Sequence, residues 1–205
     1  MKKTIICNIP MKDRIDSSVY LSDDNSLPVS ATAVKYPINA FLEKTIEVGT
    51  ELKVILLVKN AEYSSSAANT ASFKSELEAV VMGKDIQIEY VTVDTDFSQK
   101  QFIHEELMGR VVDELEESSH IVVDITYGPK DLPLILFSAL SFAEKFLNCE
   151  IENIIYGQAE FSNGQAVNTK ICDMSPLFYL TSAVNSVDAS DPDKARKMLK
   201  SMLSL

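Results

Sequence analysis

The chain has 205 residues, with 19 Lys and Arg against 30 Asp and Glu, a formal charge of −11. That length suits one domain, alone or with a small appendage, and 46% hydrophobic residues are enough to build its core. The acidity excludes a protein that coats DNA or RNA backbones or lies on an anionic membrane, because both need a basic surface, but it leaves room for a small anion in a local pocket.

Apolar, β-rich runs alternate with helical patterns along the chain. Lys3–Ile9 opens as a short strand rich in Ile. Ile38–Val48 carries apolar residues at helical spacing, and Leu52–Val58 is nearly all apolar, as a strand covered on both faces should be. A Ser/Ala/Asn-rich loop leads to a helix over Ser72–Met82, and Ile86–Val93 alternates apolar with polar residues as a strand. Ser98 is placed to cap a helix running to Glu117, with Gln101 as its capping-box partner. His120–Ile125 is a fourth strand, and Asp131-Leu132-Pro133 opens an apolar helix to Leu147. Glu152–Tyr156 is a fifth strand. Asn163-Gly164 then predicts an antiparallel hairpin between Tyr156–Phe161 and Gln165–Cys172. Ser175-Pro176 and Asp191-Pro192 each open a terminal helix.

Strand–helix alternation at this spacing implies right-handed crossovers and a mostly parallel sheet flanked by helices, a Rossmann-like α/β fold. The organisation expected is one domain over 1–187. Val187–Pro192 follows as a linker, and a basic C-terminal helix within 188–205 leads toward an effector domain beyond this chain.

The acidity is concentrated in residues 61–120, which hold 13 acidic and 4 basic residues. Solvated helices account for that. Cys7, Cys149 and Cys172 match no zinc spacing and form no even disulfide set, so reduced, buried thiols of a cytoplasmic protein are expected. No secretory signal is evident, and the most apolar run, Leu132–Ala143, is too short to span a bilayer. His104 and His120 read as structural, and no metal or cofactor is expected. Neither GxGxxG, GxxxxGK[ST] nor GxSxG occurs.

Ligands of open α/β sheets bind beyond the carboxyl ends of the strands. That rule selects Asn8, Ile9, Pro10 and Met11; then Lys59 with Tyr63, Ser64, Ser65 and Ser66; then Asp94, Thr95 and Asp96; and finally Thr126, Tyr127, Gly128, Pro129 and Lys130. The last set joins a hydroxyl, a ring, a glycine that admits close approach and a cation at a helix start, where free N–H groups suit phosphate. By spacing alone, this turn is either a phosphate cradle or simply a tight strand-to-helix connection. The serine run is either a donor set or a loop. Asp124, one turn upstream, reads as the anchor of the Thr126 loop.

The segment VVDITYGPKDLPLILFSALSFAEKF, followed by IENIIYGQAEF, resembles the CRISPR-associated Rossmann-fold (CARF) sensor domains of type III CRISPR systems. The likeness is to the branch with an Asp-Ile-Thr-x-Gly strand end, and it covers about a fifth of the chain. That branch often carries Asp-Ile-Thr-His-Gly-aromatic-Arg. Here Tyr127 stands for the His, Pro129 for the aromatic and Lys130 for the Arg, so the charge is kept but the bidentate fork is lost.

The resemblance implies a cytoplasmic homodimer in antiviral defence that binds a cyclic oligoadenylate RNA messenger, cyclic tetra- or hexa-adenylate, across its twofold axis. Binding would allosterically control an attached nuclease or adenosine deaminase. It places Asn8, Ile9, Pro10, Lys59, Tyr63, Ser64, Ser65, Thr126, Tyr127, Gly128, Pro129 and Lys130 on the ligand. Lys130 would meet phosphate, Tyr127 or Tyr63 would stack on adenine, and Asn8 and Ser64 would bond ribose or base. Two alternatives stand beside it. One is a ring nuclease that cleaves the messenger by metal-independent 2′-hydroxyl attack, with Lys130, Thr126 and Asn8 as its catalytic groups. The other is a Rossmann-like module for another small anion.

Overall fold

The computed structural model describes residues 1–23, 27–59, 64–96, 100–163 and 165–203. It divides into two compact units, Met1–Asp173 and Met174–Leu205.

The first unit is an α/β domain. Its strands are β1 (Lys2–Asn8), β2 (Leu21–Ser22), β3 (Glu51–Val58), β4 (Gln87–Asp94), β5 (His120–Asp124), β6 (Glu150–Ser162) and β7 (Gln165–Asp173). Its helices are α1 (Pro37–Thr45), α2 (Ser66–Val81), α3 (Gln101–Asp113) and α4 (Leu132–Phe146). The strands form one sheet in the order β2-β7-β6-β5-β1-β3-β4. Every pairing is parallel except the antiparallel β6–β7 pair. This is the Rossmann-like architecture expected from the alternating pattern.

Burial explains the order. Ile5, Ile6, Val54, Ile55, Val122 and Val123 have no exposed surface, because β1, β3 and β5 are central and covered on both faces. β4, whose sequence alternates, is the edge strand opposite β2. It keeps Glu89 and Asp94 along its length, and charges there discourage pairing with another chain.

Several boundaries differ from the sequence reading. The run at Glu152–Tyr156 and the first hairpin strand are one continuous strand, β6. It pairs parallel with β5 at its start and antiparallel with β7 beyond it. The two-residue β2 had no periodicity to reveal it. α2 starts at Ser66, six residues before the predicted start, because its first turns bury Ser66 and Asn69 with their polar atoms satisfied by distant carbonyls. Ser98 lies outside the described residues. Gln101 reaches forward to Glu105 Oε1 at 2.6 Å, and α3 ends at Asp113 rather than Glu117.

α4 buries Leu132, Ile135, Leu136, Ala139, Leu140 and Ala143, while Leu134 and Phe146 remain exposed. Among the described residues, no helix is long and apolar enough to cross a membrane. Cys7 and Cys149 are buried free thiols, whereas Cys172 is only partly covered.

The second unit comprises α5 (Ser175–Asn185) and α6 (Pro192–Leu203). Asp191 Oδ1 accepts from Lys194 N at 2.9 Å, which is the N-cap bond its sequence grammar implies. Ser175, expected to cap α5, is instead its first helical residue, and Met174 holds the cap position. No residue of α6 is buried.

Candidate functional site

The parallel strands β1, β3 and β5 run in the same direction, so their carboxyl ends share one edge of the sheet. A cleft of about 440 Å³ opens there. Of the residues singled out in the sequence, it brings together Asn8, Ile9, Pro10, Met11, Lys59, Tyr127, Gly128 and Pro129. Lys12 completes its lining. Thr126 lies in an adjoining groove that shares Lys12 and Tyr127 with the cleft. Lys130 is exposed at the foot of α4, next to the Pro129 wall. Ser64 and Ser65 are not part of the lining: Ser65 Oγ donates to Asp13 Oδ1 at 2.9 Å, and Ser64 Oγ donates to Ser66 Oγ at 3.1 Å. Tyr63 lies outside the described residues.

The wall of the cleft is built from satisfied polar groups. Asn8 is buried. Its amide nitrogen donates to Leu57 O at 3.2 Å and its oxygen accepts from Gly128 N at 3.3 Å. Asn8 therefore ties the end of β1 to the glycine turn, rather than pointing free donors outward as expected. Ile9 is wholly buried and forms the underside of the wall. Gly128 sits at φ 119°, a conformation open to glycine but strained for other residues. A Cβ there would stand 2.7 Å from Leu132 Cδ2.

Beneath that turn, Asp124 is 1% exposed. Its Oδ1 accepts from Thr126 N at 2.8 Å. Burial is the main cause that pushes its carboxyl up to about 6, against the lowering effect of Thr126 and of the Ile38 backbone N–H at the start of α1. Thr126 Oγ1 in turn accepts from Gly157 N at 2.7 Å, which joins the turn to β6. This chain of contacts bears out Asp124 as the loop's anchor.

Tyr127 is held as well. Its hydroxyl donates to Lys35 O at 3.0 Å, and its ring meets Tyr36 edge-on at 6.4 Å between centroids. Burial raises its phenol far above the usual range, so it stays neutral.

Two positioning residues escaped the sequence reading. Asn69 Nδ2 donates to Pro10 O at 2.7 Å and to Lys12 O at 2.9 Å, pinning the loop after β1 to α2. Glu76 accepts from Lys35 N, Tyr36 N and Asn39 Nδ2, and so supplies from α2 the N-terminal cap that α1 lacks. Nothing local marks either residue, because each acts on a partner tens of residues away.

Asn69→Ala removes two bonds at a nearly buried site and should destabilise the domain by about 1–3 kcal/mol. Limited trypsin digestion checks this directly. Cleavage after Lys12 should accelerate several-fold, and an unchanged rate would contradict the role.

Among the described residues, no cluster of three or more His, Cys, Asp or Glu is placed to hold a metal ion. His104 Nε2 lies 2.8 Å from Asp131 Oδ2 at the start of α4, and His120 lies 3.2 Å from Glu152 at the amino end of the sheet. Neither lines the cleft.

Sheet order and strand direction define a Rossmann-like α/β domain with a cleft at the carboxyl edge of its sheet, the edge at which such folds hold their ligands. The chain is similar to the CRISPR-associated protein MJ1674 of Methanocaldococcus jannaschii, with 25% identity over 101 residues. That stretch is 49% of this chain and only 15% of the archaeal protein, so the chain spans a small part of its relative's length. No protein-family model matches the chain.

Proposed function

We propose that this domain is the sensor part of a type III CRISPR antiviral system. It binds a cyclic oligoadenylate, cyclic tetra- or hexa-adenylate, at the strand-end cleft of a homodimer, and it passes the binding signal to an effector. The observation that carries this reading is the cleft itself. In a chain of charge −11, its open rim gathers Lys12 and Lys59, with exposed Lys130 beside it, around a glycine turn whose backbone a ligand can approach. Cations and close backbone approach are what a small, multiply charged phosphate ring requires. The likeness to a CRISPR-associated protein supports the same reading. The outward Leu134 and Phe146 on α4 are apolar surface of the kind a second protomer covers in an isologous interface.

Calorimetry with cyclic tri-, tetra- and hexa-adenylate tests the proposal. One ring should bind at micromolar protein or tighter, at one ring per two chains, and absence of heat with every ring would refute it. Lys130 makes no ion pair among the described residues, so Lys130→Ala should leave the fold intact. Losing a charge-assisted phosphate contact should weaken binding roughly 10- to 100-fold. Unchanged affinity would remove Lys130 from the site.

A further inference from the structure

We propose that the groove beside the β6–β7 hairpin is a second subsite, one that takes a purine nucleotide unit with its base on Phe161 and its phosphate on Lys12 and Arg14. The inference rests on the reading above and says where the ligand extends beyond the first cleft.

The groove measures about 250 Å³ and adjoins that cleft, with Lys12 and Tyr127 lining both. Its floor is the face of the hairpin that carries Ala159 and Ala166, and at the inner end of that face Pro37 covers Gly157. Alternate residues of a strand share a face, so Gly157, Ala159 and Phe161 follow one another along β6. The register irregularity nearby falls on β7, where Asn168 takes φ 50°, and it leaves that alternation intact.

Side chains this small leave the sheet flat enough for a ring to lie on it. Phe161 closes the far end, 68% exposed, with Lys12 Nζ 5.9 Å from its ring centroid. An exposed aromatic face beside an ammonium is a stacking platform joined to a phosphate contact. Arg14 adds a second cation. Its Nε donates to Asp16 Oδ1 at 2.6 Å, which orients a guanidinium whose side chain is otherwise 81% exposed. Lys12 and Arg14 outnumber Asp16, so the groove is locally positive in an acidic chain. Base stacking with phosphate pairing fits a nucleotide better than an inorganic anion, which has no use for Phe161.

The test is calorimetry of wild type, Phe161→Ala and Arg14→Ala with cyclic tetra- and hexa-adenylate, each protein first checked for an unchanged thermal midpoint without ligand. Both side chains are exposed, so both variants should fold. Each should weaken the preferred ring about tenfold, the loss expected for one stacked base or one charged contact. If wild type binds and both variants match it within twofold, the hairpin subsite is wrong and the first cleft alone holds the ligand. If wild type binds neither ring, the sensor reading falls and the subsite falls with it.

Discussion

Raising the pH from about 4 to 7 should destabilise the protein through Asp124, and Asp124→Asn should remove that share of the loss. The carboxyl is buried, burial outweighs its bonds from Thr126 and Ile38, and its folded value stands at about 6 against an unfolded value near 3.8. The folded state therefore holds this proton over a range in which the unfolded state has released it. Below the unfolded value the group is neutral in both states and costs nothing. As pH rises through the window between the two values, stability falls, and above about 6 the full penalty applies. A shift of roughly two units corresponds to about 3 kcal/mol.

The neighbours leave this sign unchanged. Cys7, opposite Asp124 on β1, has its thiol pushed up by burial, and burial also raises Tyr20 to about 12, so neither is charged in this range. Asparagine keeps an oxygen for Thr126 N but does not titrate. Urea denaturation of both proteins across pH 4–7.5 should give curves whose difference changes by about 3 kcal/mol, wild type losing ground as pH rises. Parallel curves would show that Asp124 does not titrate in this window.

Gly157→Ala should lower the thermal midpoint by roughly 5–10 °C. A Cβ at this position would stand 2.3 Å from Pro37 Cγ and 2.9 Å from Pro37 Cβ, with Thr126 Oγ1 at 3.1 Å. Proline's ring cannot rotate away, and Pro37 is the first residue of α1, so either that helix or β6 must move. Overpacking of this kind costs about 1–3 kcal/mol, and each kcal/mol shifts the midpoint of a chain this size by about 2–4 °C. Movement of β6 would also stretch the 2.7 Å bond from Gly157 N to Thr126 Oγ1, so the damage should reach the strand-end turn. Scanning calorimetry measures the shift, and a change below 1 °C would mean that α1 yields freely.

These two residues mark different limits of what the sequence discloses. Asp124 was legible as an anchor, because its bond to Thr126 N spans only two residues. Gly157 stood in the segment IENIIYGQAEF with nothing local to single it out. The reason for the glycine is Pro37, 120 positions earlier, and no local pattern announces that encounter. Asn69 looked like loop composition for the same reason, since its partners are the carbonyls of Pro10 and Lys12. Asn8 was legible as a strand-end residue, but its bonds to Leu57 O and Gly128 N were not. Whether an amide faces ligand or protein depends on which loop lies across from it, here the Gly128 turn.

The sequence by itself determined the class of fold and the edge of the sheet at which to look. Hydrophobic periodicity separates strands from helices, and strand–helix–strand connections make neighbouring strands parallel, so their carboxyl ends share one edge. Asn8, Lys59 and Gly128 could thus be grouped without coordinates. Only the tertiary structure decided which of the grouped residues meet. It left Ser64 and Ser65 outside the cleft, brought in Lys12, and spread the basic surface toward Arg14 and the hairpin. The physical reason is that a helix or strand is specified by neighbours a few positions away. The lining of a cleft depends instead on contacts between segments far apart in the chain, and their register is set only when the whole core packs.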